Sequence, residues 1–115
     1  MNLLLIAKII AAIATALTGV LALIKPTAVY GFTGLIAEGP RGISEIRSIF
    51  GGLFIALGIA PFLFGESDYA VLGFGYLAIA GVRLISIIID HSTASSNWIS
   101  LAIEIVFGLI LILRH

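Results

Sequence analysis

The chain contains no cysteine. Disulfides, thiolate metal ligands and cysteine nucleophiles are therefore excluded together, and nothing in the sequence reports a redox compartment. Charge is almost as scarce. Lys, Arg, Asp and Glu make up 10% of the 115 residues and cancel to a formal net charge of zero, where an ordinary soluble domain carries roughly 25% charged residues. No basic cluster exists, which argues against nucleic acid as a partner and against a polybasic lipid-recognition patch. The two histidines, His91 and His115, have no helical His/Glu spacing between them, so the sequence asks for no metal and no cofactor. A histidine base is also missing beside Ser86, Asp90 and Arg83, which leaves an enzyme as the minor reading.

What the chain has in abundance is apolar surface: 61% of its residues are hydrophobic and the mean hydropathy is +1.25. Four apolar runs, each bounded by turn formers, account for most of it. They predict helices over about 3–24, 45–64, 69–89 and 98–113, long enough at 1.5 Å per residue to match a hydrocarbon core of about 30 Å. Strands are rejected, because the runs are too long for barrel strands and lack period-two alternation. The first run ends in small residues, as a secretory leader does, but its lysine, Lys8, lies inside the run instead of ahead of it, so it is read as the first helix. After it, "KPTAVYGFTGLIAEGPRG" suggests a short interfacial helix over about 26–33 and then a Glu-Gly-Pro-Arg-Gly turn. "GESD" and "DHSTASSN" are short enough to force antiparallel neighbours. The expectation is an all-α fold, a single domain over 1–115, built as an integral membrane four-helix bundle with short antiparallel connections.

Small residues suggest how such helices touch. Ala7, Ala11, Thr15 and Gly19 recur every four positions on the first helix, and Ser48, Gly52, Ala56 and Ala60 on the second, while Gly73, Gly75, Ala78 and Gly81 crowd the third. Rows of this kind let backbones approach where hydrophobicity offers no drive to associate.

The few charges carry more information, because an ionisable side chain inside a membrane segment is expensive. Arg83 lies seven residues before Asp90, and Glu104 six after Trp98, so both sit about 10 Å inside the same end of two sequential antiparallel helices. Opposite charges at one depth predict a pair. Arg83 shares its face with Tyr76, Ser86 and Asp90, and Glu104 shares its face with Asn97 and Ser100. Glu45 and Arg47, about 200° apart on the second helix, cannot satisfy each other. The expected polar cluster is Glu45, Arg47, Arg83, Ser86, Asp90 and Glu104, with Gly51, Gly52, Gly75 and Tyr76 lining a pocket beside it.

The order of "EIRSIFGGLFIALG", "GVRLISIIID" and "AIEIVFGLIL" resembles a bacterial family of small four-span membrane proteins, domain-of-unknown-function family 4345. The resemblance covers nearly the whole chain and falls on Glu45, Arg47, Gly51, Gly52, Arg83, Ser86, Asp90 and Glu104, with Phe50 standing where tyrosine is expected. It implies a membrane location and a four-span fold, and it brings no activity with it. Small multidrug-resistance transporters have a similar length, but their hallmark glutamate within the first helix has no counterpart beside Lys8.

Two classes of function follow from these residues. In one, the charged cluster organises the bundle and holds the acidic or carbonyl head of a small amphiphile, or an anion, with the tail near Gly51, Gly52 and Gly75. In the other, a homo-oligomeric transporter or channel-like protein uses the cluster as a proton or ion relay; an accessory role in a larger membrane complex is the third reading. Membrane lipids are the expected partners. The resemblance implies a bacterial inner membrane, and the charge asymmetry of Lys25 and Arg41 against "GESD" places the 25–44 and 90–97 loops in the cytoplasm as an expectation.

Overall fold

A backbone in hydrocarbon must pair its polar groups within its own segment, and the apolar runs of this chain do so as helices. The computed structural model describes residues 2–114, with no strand among them. Helix α1, Leu3–Ile24, opens at Asn2, whose Oδ1 accepts the Leu5 N–H at 2.7 Å and so caps an N–H that has no partner within the helix. Beyond Lys25 the chain makes a 3-10 turn over Pro26–Val29. This runs into the one-turn helix α2, Tyr30–Thr33, which stops at Gly34 with φ 74°.

Helix α3 spans Gly39–Phe64 and starts earlier than the sequence suggests. The Glu-Gly-Pro-Arg-Gly segment reads as a turn, but only Gly39 makes the corner, at φ 72°. Pro40 then sits in the first turn of the helix, where its fixed φ fits and its missing N–H costs nothing. The middle of α3, Ile46–Leu53, winds as a π-helix. Near the far end Pro61 removes the bond that residue 61 would donate to the Leu57 carbonyl, and the helix ends at Gly65, φ 117°. Helix α4, Ser67–Asp90, is closed by His91 in the left-handed region at φ 52°, and α5 covers Ser95–Ile112.

The chain divides into two compact units, Ile10–Gly65 and Met1–Ile9 with Glu66–His115. In the first, glycines let α1 and α3 touch backbone to backbone. A Cβ on Gly58 would lie 2.6 Å from the Ala12 carbonyl oxygen, and one on Gly19 would lie 2.7 Å from that of Gly51. Ala22, Val29 and Ile46 form the apolar core of this unit, with Ala37 and Phe50 against it. Thr15 donates its hydroxyl to the Ala11 carbonyl and Thr18 to that of Ala14, so neither needs water in an apolar setting.

In the second unit α4 and α5 pack as a hairpin. Gly73 sits so close to Gly108 and Leu111 that a Cβ would meet them at 2.9 and 2.8 Å, and Ala80, Ile87 and Leu101 form the core nearer the connecting turn. The Tyr76 and Phe107 rings meet edge to face at 5.6 Å. Large apolar side chains point outward in both units, Leu63, Phe64 and Phe74 being at least 70% exposed. Among the described residues four helices, α1, α3, α4 and α5, are long and apolar enough to cross a membrane.

Candidate functional site

Arg83 on α4 and Glu104 on α5 meet as a fork. Nε of Arg83 donates to Oε1 and Nη2 to Oε2, each at 2.7 Å, the bidentate arrangement that a planar guanidinium and a carboxylate make most strongly. A third arm reaches Asn97, whose Oδ1 accepts from Nη1 at 2.8 Å. The Asn97 amide in turn donates to the carbonyl and hydroxyl oxygens of Ser92, at 2.9 and 3.0 Å. The network therefore ties α4, α5 and their connection together. Its acid is the more enclosed partner: the Glu104 side chain is 11% exposed and that of Arg83 30%.

The arrangement limits the chemistry. Both oxygens of Glu104 accept from Arg83, so neither stands free to act as a base toward a substrate. Of the five N–H donors an arginine presents, the Nη1 and Nη2 groups each keep one that no described residue accepts. Those two donors are the cluster's open valence toward an anion.

The other expected members lie elsewhere. Ser86 donates to Asp90 Oδ2 at 2.6 Å, one turn apart on α4, and neither bonds to Arg83. Glu45 pairs with Arg41 at 2.6 Å on an exposed face of α3, a partner that becomes available only because the helix begins at Gly39. Arg47 is exposed and makes no ion pair among the described residues. Gly51 is closed off by Leu23, whose Cβ would stand 3.2 Å from a Cβ placed on the glycine. Gly52 and Gly75 have open space beside them, and Tyr76 packs on Phe107.

Among the described residues no three His, Asp or Glu side chains converge as a metal site; His91 caps α4, and His115 lies outside the described residues. Sequence reasoning missed two polar participants. Asn97 was legible on the face of Glu104 yet was not read as an arginine ligand. Lys8 is 4% exposed and lies over the Tyr69 ring at 5.9 Å, which no spacing signal announces. A family model described as Domain of unknown function (DUF4345) matches residues 3–115. No curated protein and no solved structure matches the chain.

Proposed function

The chain belongs to the DUF4345 family, and on that footing we propose that it is an integral membrane protein whose Arg83–Glu104–Asn97 network sets the register of α4 against α5 and receives an anionic head group at its outer edge. The observation that carries this reading is the three-armed coordination of Arg83. A guanidinium held by a carboxylate fork and an amide cannot slide along the helix interface, and it keeps two donors for a carboxylate, phosphate or carbonyl oxygen of an amphiphile. A charge this well satisfied supports an organising role more than a relay, which needs a pair that opens to pass a proton. The proposed location is a bacterial inner membrane, from the family resemblance, with the 25–44 and 90–97 connections in the cytoplasm as the charge asymmetry of Lys25 and Arg41 against "GESD" favours.

The test is native mass spectrometry of gently extracted protein, comparing the wild type with the double variant Arg83→Gln, Glu104→Gln. The neutral pair keeps hydrogen bonding across the interface while removing the cation. We expect the wild type to carry a bound amphiphile that the double variant loses while remaining folded. An identical adduct at identical occupancy in both proteins sinks the head-group part of the reading and leaves the organising part to the stability measurements below.

A further inference from the structure

Lys8 on α1 is a buried cation with no hydrogen-bonded counter-ion among the described residues. It lies five residues inside the helix, about 7.5 Å from its start, and is 4% exposed. Arg83, by contrast, has its guanidinium gripped on three sides. The Lys8 ammonium donates no hydrogen bond and makes no ion pair among the described residues. Its close neighbour is the face of the buried Tyr69 ring, 5.9 Å from Nζ. Glu66, exposed in the turn before α4, acts on it electrostatically.

The Lys8 side chain is enclosed almost along its whole length, 4% exposed, where a lysine lying along an open lipid-facing surface covers only one side of its stem. No buried side-chain nitrogen or oxygen among the described residues lacks a hydrogen-bond partner. The unbonded Nζ must therefore be the end of the Lys8 side chain that keeps accessible surface. An ammonium has three donors and no acceptor, and leaving them empty at the margin of an apolar span is costly. What fits is an acceptor of opposite charge that arrives from outside the chain.

We propose that Lys8, braced by the Tyr69 ring, is a binding site for the anionic oxygen of a membrane amphiphile's head group, a phosphodiester or a carboxylate. The site is distinct from the Arg83 pair: Tyr69 and Arg83 lie fourteen residues apart on α4, about 21 Å along the helix. A head group seated at Lys8 supplies an acceptor that no described residue provides, and its tail runs along the outward-facing apolar side chains of the same unit, among them Val71 and Phe74. The nearby Glu66 carboxylate disfavours multiply charged anions and leaves singly charged head groups as the class that fits.

Delipidated full-length protein is titrated, by native mass spectrometry, with a short-chain phosphatidylglycerol, with dodecanoate, with inorganic phosphate and with an uncharged alkyl glucoside. We expect one anionic amphiphile to bind at least tenfold more tightly than the glucoside, with the tighter of phosphatidylglycerol and dodecanoate identifying the source of the oxygen. Lys8→Met should reduce that preference to nothing while the Arg83 pair stays intact, and Lys8→Gln serves if the first variant fails to fold. In the wild type, saturating amphiphile should slow acylation of Lys8 by a membrane-permeant activated ester at least tenfold. Equal binding of all amphiphiles, inorganic phosphate binding as tightly as either lipid, undiminished binding by both Lys8 variants, or no protection of the amine overturns the proposal.

Discussion

Arg83 and Glu104 show how much a single contact decides here. Removing one partner strands the other in an enclosed, apolar setting, so Arg83→Leu and Glu104→Leu should each cost about 3 kcal/mol of stability, and the double variant far less than the sum. Thermal unfolding in detergent across the four proteins measures the coupling, and simple additivity would show that the fork does not exist in the membrane. Asn97 belongs to the same unit through its bonds to Arg83 and Ser92. Ser86 and Asp90 do not, although their helical phase is that of Arg83, because a serine hydroxyl one turn from a carboxylate finds that acceptor within its own helix.

Helix contact depends on which glycine row is used. The regular row Ser48, Gly52, Ala56 invites the expectation of a close approach, yet Gly52 meets nothing within 4 Å, while Gly51 and Gly58 meet α1. Gly58→Ala should therefore cost about 1–3 kcal/mol, since its Cβ would drive into the Ala12 carbonyl and the Ala16 amide. Gly52→Ala should stay within about 1 kcal/mol of the wild type. Folded yield and detergent melting temperature of the two variants decide it, and similar losses for both would mean that α3 presents a different face. The π-helical stretch Ile46–Leu53 bears on the same point. Its i→i+5 winding shifts the phase of side chains on either side, so Arg47, placed by 100° steps on the face of Gly51 and Gly58, is exposed while those glycines are buried.

For the whole molecule, four apolar helices and outward-facing Leu, Ile and Phe side chains give a protein whose exterior suits lipid. The proposed orientation puts both ends of the chain on the side opposite the 25–44 and 90–97 connections. A reporter fused after the last residue and active only in the cytoplasm should be silent, and a reporter inserted in the 90–97 connection should be active. The reverse pattern would invert the topology and make the small excess of Lys25 and Arg41 irrelevant to it.

The sequence by itself determined the all-α class, the apolar spans and the Arg83–Glu104 pair. Those depend on quantities a linear string contains: run length against hydrocarbon thickness, the absence of period-two alternation, and equal depth on sequential antiparallel helices. The tertiary structure alone decided that Glu45 turns to Arg41, that Gly51 and Gly58 rather than Gly52 carry the contact of α1 with α3, and that Lys8 is buried over Tyr69. The first follows from a helix start at Gly39 that a proline signal disguises as a turn. The second depends on a backbone winding that no residue pattern specifies. The third brings together side chains sixty-one positions apart, and a separation in sequence fixes neither the rotation of a helix nor the neighbour it meets.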